Sequence, residues 1–278
     1  MLGWMHIGGE HPGTREGLLL SHRSVRVGLA ASLSVVLLAP LGLATVSATT
    51  AGAITSGPLV RVRDTAIHAS LASSNWSGYG IAGTFSAVTG SWTVPTVAPS
   101  TVPTYSSSWI GVDGLENNDL IQTGTESDYV GGHAKYDAWW EVLPGAEKVI
   151  AKVPVLPGDH MSASITKVTA KDWRFVLTDV TSGRRFTYTR AYKGPGASAE
   201  WIQERPTVGG SLSTLADYGS TTFSSLTENG VNPHLIAADA ISMVGNVGRL
   251  ISVPSAPSAL GDAFSVAYGD STPPPPAG

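Results

Sequence analysis

From about residue 84 onward, polar residues alternate with apolar or β-branched ones over short stretches, the period-two pattern of a sheet with one buried face. The pattern predicts strands over Thr84–Val88 and Gly90–Pro95, Ser106–Val112, Asp137–Leu143, Lys148–Val155, His160–Val168, Trp173–Asp179, Phe186–Tyr192, Glu200–Glu204, Ser220–Phe223 and Ala263–Ala267. Turn-forming pairs such as Pro157-Gly158, Ser182-Gly183 and Asn229-Gly230 separate them. The sequence has no long amphipathic helical stretch and no internal repeat. Short strands closely punctuated by turns imply an all-β antiparallel sandwich or barrel.

Composition agrees with this and narrows the chemistry. Only 14% of the 278 residues are charged, against about 25% in ordinary globular domains. Gly (32) and Pro (18) are frequent, which disfavours a helical bundle, and eight Trp with eight Tyr disfavour simple disorder. The net charge of −4 leaves no basic footprint for nucleic acid. With no cysteine, disulfides, a thiol nucleophile and cysteine-held metals are excluded. His68, His133, His160 and His234 show no ligand spacing, so neither metal nor cofactor is expected, and His133 reads as an exposed loop residue. Gly-x-Ser-x-Gly, His-Glu-x-x-His, Asp-Thr-Gly and Asp-Ser-Gly are all absent.

Residues Val27–Leu43 are apolar apart from Ser32 and Ser34, follow Arg23 and Arg26, and lead to the small residues Val46-Ser47-Ala48 and Ala51-Gly52-Ala53. A basic flank, an apolar core and a small-residue exit read as a secretory signal. A membrane anchor is the competing reading, although the run is near the lower length for spanning. The expected organisation is a leader over 1–53, a linker or short propeptide over 54–72, a folded domain over 73–270 and a disordered Pro-rich tail over 271–278. Leaving out residues 1–53, which hold three Arg and two Glu, 14 basic and 19 acidic residues remain, a net of −5. The expectation is a secreted, extracellular protein, free of the membrane once the leader is cleaved.

Four segments carry candidate chemistry: Ser73–Tyr79; Trp109–Gly114 with Leu120–Gly124; Tyr136–Pro144; and Ala199–Pro206. On a strand, Asp137, Trp139, Glu141 and Leu143 share one face, and Glu200, Ile202 and Glu204 share another. Carboxylates beside Trp suit a substrate groove, where desolvation raises a carboxyl pKa. A solvated outer face, on which Glu and Trp never meet, fits the residues as well. Trp76 and Trp92 read as core.

These segments together resemble the glutamic peptidases, the eqolisin family, over nearly all of 73–225. The motifs are Ser-Asn-Trp (74–76), Val88-Thr89-Gly90-Ser91-Trp92-Thr93-Val94-Pro95, Trp-x-Gly-x-Asp-Gly (109–114), Ile-Gln-Thr-Gly (121–124), Tyr-Asp-Ala-Trp-x-Glu (136–141), Ala-Glu-Trp-Ile-x-Glu (199–204) and Ala216-Asp217-Tyr218-Gly219. The resemblance implies a sandwich of two curved antiparallel sheets with the active site on a concave face. It implies Gln122 and Glu204 as the catalytic pair, with Glu200 on the same face as the competing base, and Trp109, Asp113, Trp139 and Glu141 in the substrate groove. It implies an acid endopeptidase acting on polypeptides without metal or cofactor; the fungal cysteines and their long processing insertion are missing here, which points to a single-chain mature form, and a monomer is expected. Leu143 stands where fungal members have Tyr, which changes a subsite. Two other classes remain open at this point. One is a glycoside hydrolase using Asp137 and Glu141, although same-face residues four apart lie about 13 Å apart and a retaining pair needs about 5–5.5 Å. The other is a non-catalytic carbohydrate- or peptide-binding module.

Overall fold

The computed structural model of the protein describes residues 59–60 and 71–277. The predicted leader, and the linker apart from Leu59, Val60 and residues 71–72, lie outside the described residues. In chain order the strands are β1 (Leu59–Val60), β2 (Leu71–Ser73), β3 (Trp76–Ala82), β4 (Ala87–Thr93), β5 (Ser107–Val112), β6 (Ile121–Val130), β7 (His133–Val142), β8 (Lys148–Val149) and β9 (His160–Lys167). They continue with β10 (Asp172–Asp179), β11 (Arg184–Ala191), β12 (Ser198–Glu204), β13 (Thr207–Val208), β14 (Ser211–Leu212), β15 (Ser220–Glu228), β16 (Ala240–Val244), β17 (Leu250–Pro254) and β18 (Phe264–Tyr268). Two single 3₁₀ turns are the only helical elements among the described residues.

The main ladder runs β11-β10-β9-β4-β15-β18-β17-β16-β3-β12-β5-β6-β7-β8. It folds over at the β16–β17 hairpin, so that β4, β9 and β10 of one half face β5, β6 and β12 of the other. This is the expected all-β sandwich. Alternation supplies the core between the halves: Val88 and Trp92 from β4, Ile165 from β9, Phe175 from β10, Ile110 from β5 and Trp201 from β12 are buried in one cluster. Phe223 stacks on Phe264 with ring centroids 5.1 Å apart, and Trp92 lies 6.0 Å from Phe223. Each such aromatic contributes roughly 1.5–3 kcal/mol by leaving water.

The departures from the predicted elements have physical causes. Thr84–Val88 and Gly90–Pro95 merge into one strand, β4. The predicted strand Lys148–Val155 reduces to β8, because a turn closes from Val153 N–H to the Ile150 carbonyl at 2.9 Å and Pro154 offers no N–H to a ladder. Strands β3 and β6 escape the pattern because both faces are covered and their first five residues are buried without alternation. His133 is exposed, as expected, but opens β7 instead of lying in a loop.

One close approach fixes the strand spacing beneath the site. A Cβ on Gly124 would lie 2.3 Å from the Ser108 carbonyl oxygen and 2.5 Å from Trp109 Cβ. Gly124→Ala is therefore expected to destabilise by about 1–3 kcal/mol or more, read as a lower urea midpoint. An unchanged midpoint would mean that β5 and β6 are not so tightly spaced.

Candidate active site

Residues of β5, β6, β7 and β12 that do not point between the halves meet on the opposite face. Their register forms rows. Gly111 of β5 lies opposite both Glu200 of β12 and Gln122 of β6, and Gln122 lies opposite Glu141 of β7. In the next row, Ile202, Trp109, Gly124 and Trp139 follow one another, and beyond it come Glu204, Ser107, Glu126 and Asp137. A second, smaller apolar cluster of Trp76, Trp109, Leu115, Leu120, Trp139, Ile202 and Ile241, joined by Leu143, packs around these polar groups. Trp76 is buried as predicted, but in this cluster, edge-on to Trp109 with centroids 5.1 Å apart.

Glu204 is fully buried, and each carboxylate oxygen is held. Asn75 Nδ2 donates to Oε1 at 3.1 Å and Trp109 Nε1 donates to Oε2 at 2.7 Å. Burial pushes its carboxyl up to about 7, opposed by the donors Trp109, Asn75 and Trp76. Asn75 is itself placed by Ser73, whose hydroxyl donates to Asn75 Oδ1 at 3.0 Å and accepts from the Asn75 and Trp76 backbones. The Ser-Asn-Trp motif is thus a cradle for Glu204.

Gln122 is also fully buried, and its Nε2 donates to Glu141 Oε2 at 2.6 Å. That leaves the second amide hydrogen uncommitted, and Gln122 Oε1 has no partner. Glu141 is pushed up to about 8, first by burial; the bond from Gln122 opposes the shift and the charge of Glu204 adds to it. Trp139 Nε1 donates to Ser107 Oγ at 3.0 Å. Gln122 and Glu204 therefore stand on one face at diagonal positions, with Trp109 of the intervening strand β5 between them in the register. Half-buried Glu126 and Glu147 border the cluster, Glu126 pushed up to about 7 and Glu147 to about 10, both chiefly by burial.

Glu200 and Asp113 are set apart. Glu200 is fully buried, with both oxygens lacking a hydrogen-bond partner and its carboxyl pushed well up by burial. Its charged neighbour is Asp113. The Trp109 ring covers Gly111, where a Cβ would lie 2.7 Å from Trp109 Cζ3, and so screens Glu200 from Gln122. Asp113, in a left-handed conformation (φ 71°), accepts from Tyr192 OH at 2.7 Å, Gly196 N at 2.9 Å, Ala197 N at 2.7 Å and Asn117 Nδ2 at 3.1 Å, which ties loops together. Asn75, Ser107, Glu126 and Glu147 are members of the cluster that the strand pattern does not single out; the Ser73–Tyr79 motif is the one pointer in the sequence, to Asn75. Among the described residues no group of three or more His, Asp or Glu is arranged to hold a metal.

The family model for the Peptidase A4 family matches residues 74–257, which spans these side chains except Ser73. The chain belongs to the Peptidase A4 family. The eqolisin is 27% identical over 221 residues to aspergillopepsin-2 of Aspergillus niger, covering 70% of this chain and 78% of that one. It is 26% identical over 137 residues to scytalidopepsin B of Scytalidium lignicola, covering 47% and 51%. In fold it is similar to scytalido-glutamic peptidase crystallised with a transition state analog inhibitor, at a TM-score of 0.60 and 21% identity over 70% of this chain and 98% of that one. SCP-B, an eqolisin crystallised with the tripeptide Ala-Ile-His, matches over the same shares at a TM-score of 0.57 and 21% identity. The eqolisin is accordingly a peptidase of the glutamic class with a β-sandwich fold, and the glycosidase and binding-module readings give way to that class.

Proposed function

We propose that this eqolisin is a secreted acid endopeptidase in which Glu204 activates a water and Gln122 holds the developing oxyanion. The observation that carries the reading is that each side chain is aimed by a partner of its own, Gln122 by Glu141 and Glu204 by Trp109 and Asn75, on one face of the sheet. Ionised Glu204 takes a proton from the water as its oxygen attacks the scissile carbonyl. The free hydrogen of the Gln122 amide donates to the oxyanion, and Gln122 Oε1 accepts from the water. Protonated Glu204 then passes its proton to the leaving nitrogen, which closes the cycle without a covalent intermediate. The names of the relatives, and the tripeptide held by SCP-B, support a polypeptide substrate. The signal-like segment at Val27–Leu43 supports secretion.

Of the two carboxyls, Glu141 favours an acid optimum and the burial of Glu204 opposes it. A neutral amide neighbour leaves Glu204 where its other surroundings put it, and burial puts it at about 7, higher than the amide neighbour alone implies. A water donating to Glu204 favours the ionised form and lowers that value. Glu141, pushed up to about 8, stays protonated below neutrality. Above that pH its charge would lie against the amide that must stabilise an oxyanion. Initial rates of kcat/KM are expected to peak below pH 7 and fall above about 8. In Glu141→Gln, which keeps an acceptor for Gln122, the alkaline fall is expected to disappear. A peak above pH 7, or an unchanged alkaline limb in Glu141→Gln, would refute this pairing of charge states.

A further inference from the structure

We propose that a cavity beside the end of β12 binds a small carboxylate bearing an apolar group, with Arg205 as its anchor. The cavity measures about 390 Å³ and lies where the β13–β14 hairpin, the β16–β17 turn and the end of β18 converge. Arg205, Ser213, Asn246 and Tyr268 supply its polar wall, and Leu215 and Ile251 an apolar one.

Arg205 is incompletely satisfied for a half-buried cation. Its Nη2 donates to the Ser74 carbonyl at 2.8 Å, while its buried Nε has no partner. The ion pairs among the described residues are Lys135–Asp137 and Arg249–Asp270, and neither involves Arg205. Burial lowers its pKa, with no acidic neighbour to offset the shift. The Ser213 hydroxyl on the same wall is also buried without a partner.

A guanidinium has five donors in a planar fork that matches a carboxylate in two-point fashion. One positive charge beside Leu215 and Ile251 suits a singly charged acid with an apolar body better than a doubly charged phosphate. Asp270, near Tyr268 in the chain, is tied to Arg249 at 3.6 Å. Arg205 links the cavity wall to the Ser74–Asn75 segment of the catalytic face, since its backbone N–H also donates to the Asn75 carbonyl at 2.7 Å. The inference stands apart from the peptidase reading because binding is read directly.

The test is calorimetric titration of the full chain at pH 5 with N-acetyl-leucine, N-acetyl-leucinamide and inorganic phosphate. N-acetyl-leucine is expected to bind saturably, with the amide and phosphate each at least about tenfold weaker, as loss of a charge-assisted two-point contact implies. Arg205→Met is expected to weaken N-acetyl-leucine by a similar factor. Ser213→Val, which leaves Arg205 in place, should weaken it measurably, and it carries the test if Arg205→Met fails to fold by circular dichroism. Equal binding by wild type and the folded variants would place the acid elsewhere, in the peptidase site included, and overturn the proposal. Phosphate binding as tightly as N-acetyl-leucine, or no binding of N-acetyl-leucine at all, would also overturn it.

Discussion

Glu204→Gln is expected to lower kcat by about 10²–10⁴, the range for losing a positioned base, while circular dichroism and unfolding midpoints stay near wild type. The substitution keeps the shape and an acceptor for Trp109 Nε1, so the packing of Trp76, Trp109 and Ile202 around it survives, and the bond lost from Asn75 Nδ2 costs about 1 kcal/mol. Gln122→Ala is expected to lower kcat by about 10²–10³, the effect of losing one oxyanion donor. In the proposed mechanism both groups act on the same water and carbonyl, so the double variant should be little slower than Glu204→Gln alone. Glu200→Gln is the control. Glu200 faces Asp113 behind the Trp109 ring and should keep near-wild-type rates. If Glu200→Gln is the inactive variant and Glu204→Gln the active one, the base is Glu200.

The second large effect is on stability against pH. Glu126 and Glu204 are pushed up to about 7, Glu141 to about 8 and Glu147 to about 10, and Asp128 and Glu200 well above their ordinary values, burial being the leading cause in each. In the unfolded chain such groups release their protons near pH 4. Between that pH and the folded values, the folded state holds more protons than the unfolded state, so stability falls as pH rises. It is fully present below about pH 4 and is lost through the range up to about 7–10. A tenfold difference in a carboxyl's proton affinity between the folded and unfolded states corresponds to about 1.4 kcal/mol. Several carboxyls acting together should therefore lower Tm by about 10 °C or more between pH 3.5 and pH 7.5. Scanning calorimetry across that range checks this. A Tm that rises toward pH 7.5 would show that these carboxyls are ionised in the folded protein.

Much of the fold and the site is legible in the sequence, for a physical reason in each case. Period-two alternation survives wherever a strand keeps one open face, as in β9 and β10, and those strands fall within a residue or two of their predicted places. The burial alternation is lost in β3, β5, β6 and β12, where both faces are covered; β5 and β12 still read as strands from their residues, whereas in β3 and β6 the motifs Ser-Asn-Trp and Ile-Gln-Thr-Gly are the only guides. Alternation also places Trp139 and Glu141 on one face, and Glu200 and Glu204 on another, without any knowledge of strand pairing. It does not say which glutamate acts with Gln122, since Glu200 shares Gln122's row and Glu204 lies two rows away. That depends on where the Trp109 ring lies over Gly111, a long-range packing fact. Nor does it reveal that Asn75, 129 residues before Glu204, holds that carboxylate. The burial that lifts Glu204 and Glu141 is likewise a property of the assembled cluster, which is why the neutral amide neighbour, taken alone, points to too low a pKa for the base.

The sharpest single measurement is a crystal structure of the eqolisin with a peptide transition-state analogue at acidic pH. One analogue oxygen is predicted within about 3 Å of Gln122 Nε2 and the oxygen in the place of the attacking water within about 3 Å of a Glu204 carboxylate oxygen. An analogue whose oxygens rest on Glu200, or on neither Gln122 nor Glu204, would contradict the shared role of these two side chains.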